Sequence, residues 1–283
     1  MHFRRLPAIL PMYLQAAVST RPRHPAPDTD IPVLHATASP LEANVGHIRR
    51  FARLVGHRHD NVLPPTYPQI LAAPLHLAMF TAPQFPLNPT GIVHLRNTIT
   101  IEEPIDIAAP LTLQTSLAEG EESVRGRQLV MTTIAAIGER PVWRAEAGLL
   151  ARFANPAGRD KRARRRIRTS GLQAIETIDV GANTGRRYAR ASGDYNPIHL
   201  STISARLFGF DHAIAHGMWS LARVLGCLDE IPAAANIEVE FRRPLLMPAS
   251  VEVAADPVQP GGFALRDATT GKNYLEGMIS EVT

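Results

Sequence analysis

Within the six positions from Asp194 to His199, the stretch Gly193-Asp194-Tyr195-Asn196-Pro197-Ile198-His199 holds an acid, an amide and an imidazole. Asp194 and His199 are proton carriers suited to acid–base work near neutral pH. Pro197 restrains the loop between them, so both side chains can face one cavity. After sixteen intervening residues, His199 is followed by His216 and Gly217, at the head of a helical pattern. Gly217 has no side chain to obstruct an approach. The first amides of a helix lack internal partners and sit at its positive end, where an oxyanion developing in a reaction is well placed. Two proton carriers beside an oxyanion donor suit chemistry that passes through an enolate. Adding or removing water across a double bond conjugated to a thioester is the simplest case. Asp–His pairs alone are common, so at this level an enzyme and a polar turn both remain open.

Other chemistries lack their signatures. The sequence has no Ser in a nucleophile-elbow turn, no placed catalytic Cys and no Gly-rich phosphate loop. Its single cysteine, Cys227, excludes an internal disulfide and offers no thiolate cluster, so neither metal nor cofactor is expected. Cys227 is expected to pack beside the core. Trp143 and Trp219 read as packing residues, although Trp219 lies close enough to Gly217 to line a pocket.

The elements that position this loop repeat. Residues 49–56, RRFARLVG, match residues 186–193, RRYARASG, at an offset of 137. Residues 99–113 match residues 239–253 at an offset of 140, with Pro104 on Pro244 and Ile99, Ile101, Ile105, Leu111 and Leu113 on apolar partners. Two segments at nearly one offset indicate duplication of a unit of about 120 residues. Each unit runs from a short Arg-rich helix through a loop and a longer helix to a set of strands. The longer helices are expected at 69–80, kinked at Pro74, and at about 217–229, stopped by Pro232. In the second, Met218, Leu221, Ala222, Leu225 and Leu228 keep helical spacing. Strands are expected at 92–103 and 105–116, then 128–137 and 141–153. In the second unit they are expected at 235–243 and 249–256, then 262–270 and 272–280. A helix followed by an antiparallel sheet, twice over, is an α+β design. Each sheet wraps its helix, and the two sheets join edge to edge, which protects exposed strand edges.

The 283 residues carry a net charge of +4, too weak a balance to argue for nucleic acid. No apolar run is long enough to span a membrane, and Pro7 and Pro11 interrupt the faintly leader-like start, so a reducing cytoplasm is the expected compartment. The organisation expected is an arm over 1–44, irregular or partly helical, a first unit over 45–157, a basic linker over 158–168 and a second unit over 169–283. The linker reads first as solvated, with contact to an acidic or phosphorylated partner as the sharper alternative.

The motif SGDYNPIH, followed by ARLFGFDHAIAHGM, resembles the hydratase-2 motif of the MaoC-like dehydratase family. FRRPLLMPA resembles the strand and turn that follow it there, and LPPTYPQILAAPLHLAM resembles the degenerate leading half of double-hotdog members. The resemblance covers roughly residues 45–283 and is strongest over 186–250. It implies a double hotdog, two tandem antiparallel sheets each wrapped around a long helix. The activity implied is reversible hydration of trans-2-enoyl thioesters to (3R)-3-hydroxyacyl thioesters, carried on CoA or acyl-carrier protein. It implies Asp194 and His199 as catalytic pair, Asn196 as support for the loop and water, and the Gly217 amide as thioester oxyanion donor. Ile198, Phe210, His216, Met218 and Trp219 are the implied substrate-binding residues, His216 reading first as a residue that packs or bonds to backbone rather than reacts. No cofactor is implied beyond the CoA or phosphopantetheine of the substrate. A monomer or a homodimer of double hotdogs is compatible with it. The first-half loop, GHRHDNVLPPTYP, carries His57, His59 and Asp60 without the Asp-x-Asn-Pro-x-His order, so one site per chain is expected, with room freed for a long acyl chain. A hotdog thioesterase and a non-catalytic acyl-binding protein are the competing readings.

Overall fold

The computed structural model describes residues 1–283 except 60, 122, 157, 159–166, 168–170, 258–260 and 283. Most of the expected basic linker, Arg164, Arg165 and Arg166 included, lies outside the described residues.

Eleven strands form one continuous sheet in the order β1-β2-β4-β5-β6-β3-β8-β11-β10-β9-β7. The first half supplies β2 (Leu34–Leu41), β3 (Ile92–Ile101), β4 (Leu111–Glu119), β5 (Gly126–Ile137) and β6 (Arg140–Arg152). The second supplies β7 (Gln173–Val180), β8 (Ala235–Phe241), β9 (Ala249–Ala255), β10 (Gly262–Asp267) and β11 (Asn273–Glu281). The halves meet edge to edge where β3 pairs antiparallel with β8. Thr98 faces Glu238 in that pair, the same 140-residue offset seen in the repeat, so a pseudo-twofold axis passes between them. β2 and β7 stand 139 residues apart and occupy equivalent places beside β4 and β9. β2 therefore belongs to the first sheet, although it falls within the stretch read as an arm.

That arm is ordered. β1 (His2–Phe3) runs parallel to β2, and helix α1 (Ile9–Ala17) follows. The two Arg-rich repeats form α2 (Val45–Val55) and α5 (Thr184–Ser192), which pack against each other with the Phe51 and Tyr188 rings 6.1 Å apart. Each ends at a left-handed glycine, Gly56 with φ 76° and Gly193 with φ 74°. That conformation suits a residue without Cβ and turns the chain sharply out of the helix.

The expected helix at 69–80 is two pieces, α3 (Tyr67–Leu71) and α4 (Ala73–Thr81), broken at Ala72. Pro74 sits in the first turn of α4, where no backbone donor is needed. Its counterpart α7 (Gly217–Leu225) stops four residues short of the expected end. Gly226 caps it against the end of α2, where a Cβ would fall 2.2 Å from the Val55 carbonyl oxygen. α4 and α7 bury Leu75 and Met79, and Leu221 and Val224, completely in the core, which the sheet closes with Leu113, Leu117, Ile237 and Val253. A helix so enclosed is held by packing rather than by intrinsic propensity.

Candidate active site

α5 leads into the candidate catalytic loop. Gly193 turns the chain, and the Asp194 amide donates to Ser192 Oγ at 3.1 Å. Asp194 Oδ1 then accepts the Asn196 amide at 3.1 Å, and Asn196 Oδ1 accepts the Ile198 amide at 3.4 Å. These two Asx turns fold Asp194–Ile198 on itself, and residues 197–199 close it as one turn of 3₁₀ helix. Gly185 on α5 lets the helix press on this turn, since a Cβ there would fall 1.9 Å from the His199 carbonyl oxygen.

His199 Nδ1 lies 2.8 Å from the Ile214 carbonyl oxygen. A carbonyl only accepts, so Nδ1 carries the proton and the neutral ring keeps its lone pair on Nε2. His216, the N-cap residue of α7, stacks on His199 with ring centroids 3.7 Å apart. Its Nε2 donates to the Asp194 carbonyl oxygen at 3.0 Å and lies 3.8 Å from Asp194 Oδ2, while its Nδ1 is buried without a partner. The far face of His216 meets the Tyr188 ring at 4.8 Å.

Burial alone would raise the Asp194 carboxyl. The His216 and His199 imidazoles, the Asn196 amide and the Tyr13 hydroxyl outweigh it and hold Asp194 below the ordinary carboxylate value. Burial pushes His199 down despite Asp194 beside it, and pushes His216 down to about 3, aided by His199. The result is a carboxylate beside two neutral imidazoles, an arrangement able to accept protons at neutral pH.

Ligand atoms of Asp194, His199 and His216 lie within 4.8 Å of one another, a set able in principle to hold a metal. The imidazole planes are stacked at 26°, however, and ring lone pairs lie in the ring planes. Two such nitrogens point side by side rather than converge on one ion, so the set fits proton transfer better than coordination.

A cavity of about 560 Å³ opens onto this loop and runs into the first half of the chain. Asp194, Tyr195, Asn196 and Pro197 form one end. Gln69, Ile70, His76 and Leu77 of α3 and α4, with Met131, Ala147 and Leu149 of the first sheet, are among its first-half walls. His76 Nε2 is satisfied by Thr133 Oγ1 at 2.7 Å, and Gln69 and Asn97 bond side chain to side chain. Burial lowers both His76 and His94 to about 4, so the cavity wall is uncharged there.

Of the residues singled out in the sequence, Asp194, Asn196 and Met218 line this cavity; His199 is not in its wall, but an imidazole nitrogen lies within 4.8 Å of the Asp194 carboxylate. Gly217 is the first residue of α7, and no side chain caps that helix end. Phe210 is not in the wall; Phe208 is, its ring held under the Arg23 guanidinium at 4.8 Å. Trp219 is 4% exposed and belongs to the core, because α7 turns that face toward the sheet. Ile198 serves the loop through its backbone, its carbonyl accepting the Ile214 amide at 3.0 Å. Sequence reasoning missed Tyr13 of α1, whose hydroxyl donates to Asp194 Oδ1 at 2.9 Å across 181 residues. It also missed His94, in the cavity wall with a buried, unpartnered Nε2.

In the first half, the 137-residue offset sets His57 opposite Asp194 and Val62 opposite His199. His57 and His59 line a separate cavity of about 410 Å³, with Trp143 and Leu228 among its walls. Asp60 lies outside the described residues. No acid–imidazole pair forms there among the described residues.

Comparison with known proteins finds similar chains and folds. Residues 152–274 match the family model described as MaoC like domain. The chain is 29% identical over 275 residues to 3-hydroxyacyl-thioester dehydratase X of Mycobacterium tuberculosis, covering 96% of this chain and 98% of that protein. The crystal structure of HtdX from Mycobacterium tuberculosis superposes with a TM-score of 0.76 at 26% identity, over 88% of this chain and all of that one. A MaoC-like dehydratase from Phytophthora capsici shares the fold, with a TM-score of 0.68 at 19% identity, over 89% of this chain and 96% of that one.

Proposed function

We infer that this chain, a member of the MaoC-like dehydratase family with the double-hotdog fold, works by single-site acid–base catalysis at Asp194 and His199. It is a hydro-lyase of fatty-acid metabolism that interconverts 3-hydroxyacyl and 2-enoyl thioesters. The observation that carries the site assignment is the pairing of a carboxylate with a neutral imidazole, His199, whose free nitrogen is fixed by the Ile214 carbonyl.

In the hydration direction, Asp194 Oδ2 and His199 Nε2 hold a water and remove its proton as the oxygen adds to C3. Charge moves onto the thioester oxygen, which the Gly217 amide receives at the positive end of α7. Protonation at C2 completes addition on one face. Dehydration follows the same path backwards. Asn196 keeps the loop closed through Ile198. The reaction needs only water and the thioester, so no cofactor is required beyond the substrate's own CoA or phosphopantetheine. The acyl chain extends into the 560 Å³ cavity, whose walls from α3, α4 and the first sheet, with Gln69, Ile70, His76, Leu77, Met131, Ala147 and Leu149, are apolar or uncharged. The product is the (3R) hydroxyacyl thioester. Among the described residues no helix is long and apolar enough to cross a membrane, and a cytoplasmic setting fits the single, buried cysteine.

The test is product analysis. Incubation with a trans-2-enoyl-CoA should consume the conjugated thioester and yield the (3R)-3-hydroxyacyl-CoA with no free thiol. Stoichiometric thiol release would instead identify a thioesterase, and binding without turnover would identify an acyl-thioester-binding protein.

A further inference from the structure

The N-terminal arm is tied down at both ends. The Met1 ammonium donates to the His35 carbonyl at 2.7 Å, and β1 pairs with β2. At the C-terminal end of α1 and just after it, the Asn88 amide side chain donates to the Ala16 and Ser19 carbonyls, and the Arg21 guanidinium donates to the Phe80 and Thr81 carbonyls. Gln15 donates to the Thr81 carbonyl at 3.2 Å. α1 is thereby seated on the end of α4 in the first half. Its other end reaches the catalytic loop of the second half, where Ile9 packs on Gly193 so closely that a Cβ there would fall 2.3 Å from Ile9 Cδ1.

α1 does not behave as a core helix. Only Ala16 is buried. Leu10, Tyr13, Leu14 and Ala17, spaced as one helical face, line the substrate cavity, although Leu10 is 66% and Leu14 61% exposed. From that face the Tyr13 hydroxyl reaches Asp194 Oδ1. Oδ1 thus accepts two bonds, from Tyr13 and from the Asn196 amide, and Oδ2 is left toward His216. The Asp194 side chain is 41% exposed, and from the loop itself the Asn196 amide is the bond that Oδ1 receives, so Tyr13 supplies the second bond that holds the carboxylate in this orientation.

We propose that the arm is part of the active site: Tyr13 is a positioning residue that occupies Asp194 Oδ1 and presents Oδ2 to the reacting water, and α1 is one wall of the acyl-thioester cavity. This rests on the assignment of Asp194 as a proton carrier. A hydrogen bond to a charged acceptor is among the stronger ones, and its loss frees the carboxylate to rotate.

The test uses the full chain and a trans-2-enoyl-CoA that the wild type hydrates, so wild-type turnover establishes the underlying reading first. Tyr13→Phe keeps the ring against Tyr195 and removes only the donor. Its kcat should fall roughly tenfold with KM within about twofold. The acid limb of its kcat/KM–pH profile should move to higher pH, because the carboxylate has lost a bond that favours its charged form. Val18→Ser, at the solvent-exposed end of the same helix, should leave both unchanged. Leu14→Ser should raise KM for a long-chain substrate more than for a short one. An unchanged kcat and acid limb in Tyr13→Phe would overturn the positioning role, as would a rise in kcat, which would make Tyr13 an obstruction. A KM effect alone would reduce Tyr13 to a wall residue. Equal KM for all chain lengths in Leu14→Ser would remove α1 from the cavity.

Discussion

Filling the acyl cavity should shorten the substrates accepted without touching the chemistry. Ala147 is 3% exposed on β6, between Met131 of β5 and Asn97 of β3, and it lines the cavity beyond the catalytic loop. In Ala147→Phe the added phenyl takes roughly the room of four methylenes, each worth about 0.8 kcal/mol when buried. A substrate whose chain reaches that point therefore loses about 3 kcal/mol of binding, on the order of 100-fold in kcat/KM. A four-carbon enoyl chain, which ends near Asp194, should stay within about threefold of wild type. The assay is kcat/KM over a series of trans-2-enoyl-CoA chain lengths for both proteins. Overpacking costs stability of about 1–3 kcal/mol, so a melting curve and the four-carbon rate serve as folding controls. Parallel chain-length profiles in the two proteins, with full activity on the short substrate, would refute the cavity as the acyl site.

Acid should destabilise the fold well before carboxylates titrate. Burial holds His76 and His94 at about 4 and His216 at about 3, against 6.5 when unfolded. Depressed values mean that stability is complete above pH 6.5 and is lost as pH falls toward 4, by about 1.4 kcal/mol per pH unit for each histidine. Urea unfolding at pH 7.5, 6.5 and 5.5 measures this, and a flat midpoint would contradict it. Gly185→Ala should displace the His199 turn, since its Cβ would meet the His199 carbonyl oxygen at 1.9 Å. Activity should fall at least tenfold with kcat bearing the loss, and wild-type rates would show that the turn tolerates the shift.

The candidate catalytic loop was legible because its residues act locally: Asp194, Asn196 and Ile198 build their turns from neighbours two positions away. The repeat was legible because both halves bury the same apolar positions. What stayed hidden depends on distant contacts. β7 is an edge strand with most residues exposed and Val180 its one buried residue, and β2 buries only the small Ala36 and Ala38. Phe208 rather than Phe210 faces the cavity because a turn at Gly209, with φ 83°, separates them. Trp219 lies two positions from Gly217 but points into the core, since adjacent residues on a helix face different ways. Tyr13 carries no local motif at all, and only the path of the arm across both halves brings it to Asp194.

The most direct test of the central claim compares wild type with Asp194→Asn and His199→Gln in hydration of a trans-2-enoyl-CoA, followed by loss of conjugated-thioester absorbance. Both substitutions preserve size and remove the proton-carrying group. Each variant should lose on the order of 100-fold or more in kcat, about 3 kcal/mol of transition-state stabilisation, with little change in KM. Near-wild-type turnover in both would contradict the assignment of Asp194 and His199 as the groups that move the proton.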